Sequence, residues 1–68
     1  MKVIYDQDTD TLTFLLRECA VTESDEARAG VIIDYDENGM ACAIEILDAS
    51  EKVSHPDGIA YEMKARRA

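Results

Sequence analysis

Tryptophan is absent, proline and histidine occur once each, and only four residues of 68 are aromatic. A single histidine and two cysteines without C-x-x-C spacing, Cys19 and Cys42, cannot complete a structural zinc site. The cysteines read instead as two small buried hydrophobes in a reducing compartment, with no covalent staple. Gly30, Gly39 and Gly58 form neither G-x-G-x-x-G nor G-x-x-x-x-G-K, so nucleotide binding has no support. No apolar run approaches the roughly eighteen residues of a membrane span, and Met1 to Asp6 contains no basic leader ahead of a long apolar stretch. This reads as a cytoplasmic chain with no signal peptide and no membrane contact.

Positive charge is also scarce. Seven basic residues face fifteen acidic ones, a formal net charge of −8, and Lys64, Arg66 and Arg67 crowd into the last five positions. Residues 1–63 therefore carry fifteen acids against four bases, a net −11. Such a body repels phosphate backbones, which excludes direct nucleic-acid binding. It attracts a basic protein.

A chain of this length buries about 60% of its unfolded surface. Ordering it costs roughly 1.5 kcal/mol per residue, which apolar burial only just offsets. The expectation is one domain over residues 1–64, a frayed tail over 65–68, and a second copy or an obligate partner to complete the core.

The residues that are present organise as an α+β, mainly β domain, a small antiparallel sheet of two consecutive β-hairpins with a short helix. Val3-Ile4-Tyr5, the acidic turn Asp6 to Asp10, and the alternation Thr11 to Leu16 make the first hairpin, with Tyr5 opposite Leu12 and Val3 opposite Phe14. A polar stretch, Thr22 to Glu26, leads through Gly30 to the second, Val31 to Tyr35 and Met40 to Leu47. Asn38-Gly39 between them favours a two-residue turn with positive φ. That loop sets Tyr35 opposite Cys42, Ile33 opposite Ile44 and Val31 opposite Ile46; a four-residue loop keeps the same parity, whereas a three-residue loop would set Glu45 opposite Val31. Asp48-Ala49-Ser50-Glu51 resembles a capping box, and Pro56 limits its helix to about two turns. Ile59, Tyr61 and Met63 alternate as in a last short strand over residues 58–64, with a helix as the alternative.

This parity gives a first, wholly apolar face, read as the main core. A second face mixes Ile4, Leu15, Ile32 and Leu47 with Thr13, Asp34 and Glu45. Apolar residues on both faces need two covers. The C-terminal segment supplies one; a homodimer interface or a partner protein supplies the other, unless the C-terminal segment folds over the second face internally. Ile4, Leu15, Ile32, Asp34, Glu45 and Leu47 are accordingly the candidate partner-binding residues.

Asp34-x-Asp36-x-Asn38-Gly39 with Glu45 five residues on satisfies the EF-hand spacing for calcium. That motif requires flanking helices, and here both flanks alternate with β-branched residues, so the pattern reads as an acidic rim shaping a turn. In hairpin geometry Asp34, Asp36 and Glu45 share a face, with Glu45 diagonal to Asp34 at roughly 7–8 Å; weak divalent-metal or small-ligand binding by a homodimer is the alternative function. Asp6, Asp8 and Asp10 imitate the start of the same loop, but Thr11 replaces the glycine and Arg17 the last glutamate, leaving local turn capping. His55 beside Asp57 has Pro56 between them and no nucleophile near, so it reads as an exposed turn residue. No catalytic, metal or cofactor-binding residue is assigned, and the chain does not read as an enzyme.

Lys2-Val3-x-Tyr5-Asp6, Asp10-x-Leu12, Gly30 to Gly39 and Ile44 to Ser50 together make residues 1–53 resemble the domain of unknown function family 2283. The resemblance implies a short prokaryotic protein with a compact, mainly β domain and a small helical element, and it implies no activity, cofactor or catalytic residue. Some members of that family sit beside small toxin-like proteins, so the resemblance also suggests an antitoxin role.

Overall fold

A computed structural model describes residues 1–67. Five strands, β1 (Lys2–Asp6), β2 (Thr11–Leu15), β3 (Glu23–Arg28), β4 (Val31–Tyr35) and β5 (Ala41–Ile46), precede one short helix, α1 (Ala49–Lys52). The strands form one antiparallel sheet in the order β1-β2-β5-β4-β3. β3, β4 and β5 are a meander; the β1–β2 hairpin docks beside β5. Residues 16–22 therefore cross the ends of β5 and β4, held by Leu16 N–H to the Cys42 carbonyl (2.8 Å) and Thr22 N–H to the Tyr35 carbonyl (2.8 Å).

The first hairpin has the expected register, Val3 opposite Phe14 and Tyr5 opposite Leu12. The second departs from expectation at its turn. Gly39, not Asn38, holds positive φ (+77°), Gly39 N–H donates to the Asp36 carbonyl and Asp36 N–H to the Met40 carbonyl. Glu37, Asn38 and Gly39 thus form a three-residue loop of the type that ends in a left-handed glycine. The parity it would break is restored at once: Asp34 pairs Ala43 and Tyr35 pairs Ala41, so Cys42 is the extra residue of a β-bulge. Val31 still meets Ile46 and Ile33 still meets Ile44, but Tyr35 does not pair with Cys42.

β3 lies within the stretch read as a polar connection. Its residues, Glu-Ser-Asp-Glu-Ala-Arg, are all exposed, as suits a charged edge strand that resists edge-to-edge association. The helix forms after Asp48, yet Asp48 adopts the left-handed region (φ 51°) and its side chain caps nothing. The cap comes from Asp10, 40 residues away in sequence, whose carboxylate accepts Ser50 N–H (3.0 Å) and Ser50 Oγ–H (2.6 Å) while its carbonyl accepts Ala49 N–H (2.9 Å). Tyr5 Oη–H donates to the same carboxylate at 2.7 Å, tying β1 to this junction.

Beyond α1, residues 53–67 form a turn at His55 to Gly58 and no further strand or helix. The alternating Ile59, Tyr61 and Met63 do not make the last strand, because alternation becomes a strand only where a sheet edge pairs with it. All three side chains are exposed. Residue 68 of the expected frayed tail lies outside the described residues.

The fully buried apolar residues are Leu12, Cys42, Ala43 and Ala49. Every other large apolar side chain of the sheet stays partly accessible, since no second layer packs across most of either face.

Candidate functional site

Neighbouring strands share faces through their register, so the second face can be read row by row. Ile4, Thr13, Glu45 and Ile32 form one row across β1, β2, β5 and β4; Leu15, Ala43, Asp34 and Ser24 form the next across β2, β5, β4 and β3. Leu47 follows β5, with its N–H on the Gly30 carbonyl at 2.8 Å. The six residues singled out from the sequence therefore gather on one side of the sheet.

Their apolar members stay accessible, Ile4 at 40% and Leu15 at 37%, while Asp34 at the centre is only 9% exposed. Ser24 Oγ–H donates to Asp34 at 2.6 Å. Glu45 lies diagonal to Asp34, and a hydrogen bond shared with the Asp34 carboxyl, then burial, then the neighbouring negative charge push its pKa above the ordinary glutamate value. The result is a pair of neighbouring carboxyl groups that shares its face with the accessible side chains of Ile4 and Leu15, the half-buried Ile32 and Leu47, and Lys2.

Asp36 does not join that pair. Its Oδ1 accepts the Asn38 (2.9 Å) and Met40 (3.0 Å) amides, and its Oδ2 accepts Arg17 Nη2 at 2.7 Å. The Arg17 guanidinium, with those amides, holds its carboxyl below the usual aspartate range. The three-carboxylate face expected from the hairpin thus comes apart, because the glycine loop turns Asp36 back onto its own backbone. Among the described residues no three His, Cys, Asp or Glu side chains converge as a metal site. Asp10 is likewise held below its ordinary value, chiefly by the Ser50 and Tyr5 hydrogen bonds, and its work is structural. His55 sits in an exposed turn with φ 54°.

The two cysteines need a correction. Cys42 is buried as expected, but Cys19, in the crossing segment, forms a disulfide with it, the Cα atoms 6.1 Å apart. The bulge at Cys42 and the crossing of residues 16–22 bring them together, and neither is visible in their isolated spacing of 23 residues. Sequence reasoning also missed Ser24 as the partner of Asp34; the only signal was a serine alternating with acids before Gly30. An open groove of about 770 Å³ runs between the β1 edge and the 56–59 segment, lined by Val3, Tyr5, Asp8, Pro56, Asp57 and Ile59 among others. No helix among the described residues is long and apolar enough to cross a membrane.

The family described as "Protein of unknown function (DUF2283)" matches residues 2–50. The chain belongs to the DUF2283 family. The matched span holds all five strands and the Asp10–Ser50 cap, so the whole sheet with both of its faces is what the family pattern covers. Neither the curated proteins nor the solved structures offer a match to this chain.

Proposed function

We propose that this DUF2283 member is a protein-binding module whose second sheet face receives a small basic partner, in the manner of an antitoxin. The observation that carries this reading is the Asp34–Glu45 pair, set among the accessible side chains of Ile4, Leu15, Ile32 and Leu47. An apolar patch around a desolvated acidic centre suits a partner that offers a lysine or arginine inside an apolar rim. The net −11 of residues 1–63 would speed its encounter. A cytoplasmic site of action belongs to this reading, and there the Cys19–Cys42 bond would form and open with the thiol poise of the compartment.

The test is a tagged pull-down from native-host lysate at low and high salt, with mass spectrometry of the eluate, repeated with Leu15→Asp and Ile32→Asp. One small basic protein, released by salt and lost with both variants, is the expected result. Undiminished capture by both variants would show that the second face is not the binding surface.

A further inference from the structure

The first face, read from the sequence as the core, has no second layer over most of its area. Val3, Phe14, Ile44 and Ile33 form one row across β1, β2, β5 and β4, and Tyr5, Leu12, Ile46 and Val31 the next. Leu12 alone of these eight is buried, at the end of the sheet where Asp10 holds α1; the others remain partly accessible. The dimensions agree. The accessible surface is 5580 Å², against about 4300 Å² for a compact monomer of this mass. The radius of gyration is 13.6 Å, against about 11 Å for a compact domain of this length. Residues 59–67, exposed throughout, and the partly accessible apolar side chains of the sheet both contribute to the excess.

We infer that a second copy of this chain covers the first face, so that the two sheets pack face to face and one hydrophobic core is completed between two protomers. A standard interface removes about 800 Å² from each partner. Packed sheets about 10 Å apart are one of the few stable ways to bury such a face.

Charge decides between a second copy and a different protein. Copies that each carry a net −8 approach one another most easily where neither presents a charge. On β1, β2, β5 and β4 the only ionisable groups of the first face are the Tyr5 and Tyr35 phenols, and the charges beside it stand at its margins: Glu23, Asp25 and Arg28 on the edge strand β3, the Asp10 carboxylate that accepts the Tyr5 hydroxyl, and Asp57 across the groove from Tyr5. The second face carries Asp6, Glu26, Asp34 and Glu45 against Lys2 alone, so a second copy there would set one net-negative face against another. The two faces thus divide the work, the uncharged one for self-association and the acid-bearing one for the basic partner. This inference does not depend on that partner, since it uses the opposite face.

The test is sedimentation equilibrium of the full chain across micromolar concentrations, at low and high salt, for the wild type and for Ile44→Glu and Ile44→Lys, each checked for folding by circular dichroism. The wild type is expected to be a dimer that persists at high salt. Each variant should raise the dissociation constant by roughly 100-fold or more, and mixing the two should restore the dimer. Leu15→Asp, on the opposite face, should leave it unchanged. Should the Ile44 variants not fold, isotope-filtered NOEs between labelled and unlabelled wild-type copies replace them, with contacts expected from the Phe14 ring and Ile44 methyls. A wild-type monomer, a dimer indifferent to both Ile44 variants, or a dimer without those NOEs would overturn the inference; loss of the basic partner alone would overturn only the reading of the second face.

Discussion

Leu12→Ala probes the one part of the first face that a single chain seals by itself. Leu12 is 2% exposed, lies opposite Tyr5 and Ile46, and sits two residues beyond the Asp10 carbonyl that anchors Ala49. The substitution removes three carbons, worth about 2.4 kcal/mol at about 0.8 kcal/mol each. A residual cavity raises the cost to about 3 kcal/mol. A chain of this length holds roughly 3–10 kcal/mol of stability in all, so the variant should lose much of it and melt roughly 20 °C lower. Urea titration followed by far-ultraviolet circular dichroism measures the loss, at one fixed protein concentration so that association does not shift the midpoint. Val21→Ala, at an exposed position of the crossing segment, is the control and should change stability by less than about 0.5 kcal/mol. A loss under about 1 kcal/mol for Leu12→Ala would refute the packing described for α1 and the sheet end.

Three further outcomes are expected. Glu45 has its pKa raised in the fold, so its favourable contribution is present below the unfolded value and is lost as pH rises through the folded one. Glu45→Gln should therefore raise the melting temperature at neutral pH, with the gain fading below about pH 4, where glutamate is protonated in both states; an equal gain at both pH values would contradict the Asp34 pairing. Gly39→Ala should cost about 1 kcal/mol by chemical denaturation, because a Cβ there meets nothing within 4 Å and only the left-handed backbone (φ +77°) opposes it. Cys19→Ser should cost about 3 kcal/mol, from opening a loop of 23-residue separation, and the air-oxidised wild type should resist alkylation until reduced; ready alkylation without reductant would show the thiols unpaired.

Much of the sheet was legible in the sequence because two-residue periodicity carries face and register together. The threonines alternating with Leu12 and Phe14 placed β2 against β1, and Val31 and Ile33 met Ile46 and Ile44 as parity required. The bulge at Cys42 escaped notice because a three-residue loop and one extra residue cancel, leaving the same parity as a simpler turn. β3 was not legible since Glu-Ser-Asp-Glu-Ala-Arg has little intrinsic strand preference and is extended through its pairing with β4. Asp10 as the cap of α1 and Cys19 as the partner of Cys42 are contacts made by the strand order, and local patterns carry no trace of that order. The sequence did indicate two apolar faces. Which of them the chain covers by itself depended on residues 53–67, whose alternation did not become a strand.

The strand order also sets a timetable. β2 is made before β3 and β4, but its inner neighbour is β5, which follows them both, so the β1–β2 hairpin has nothing to dock on until Ile46 has emerged. A lone two-stranded hairpin is marginal in water. Folding of the sheet thus waits for β5, and the chain before β5 would be two unjoined hairpins, not a smaller domain.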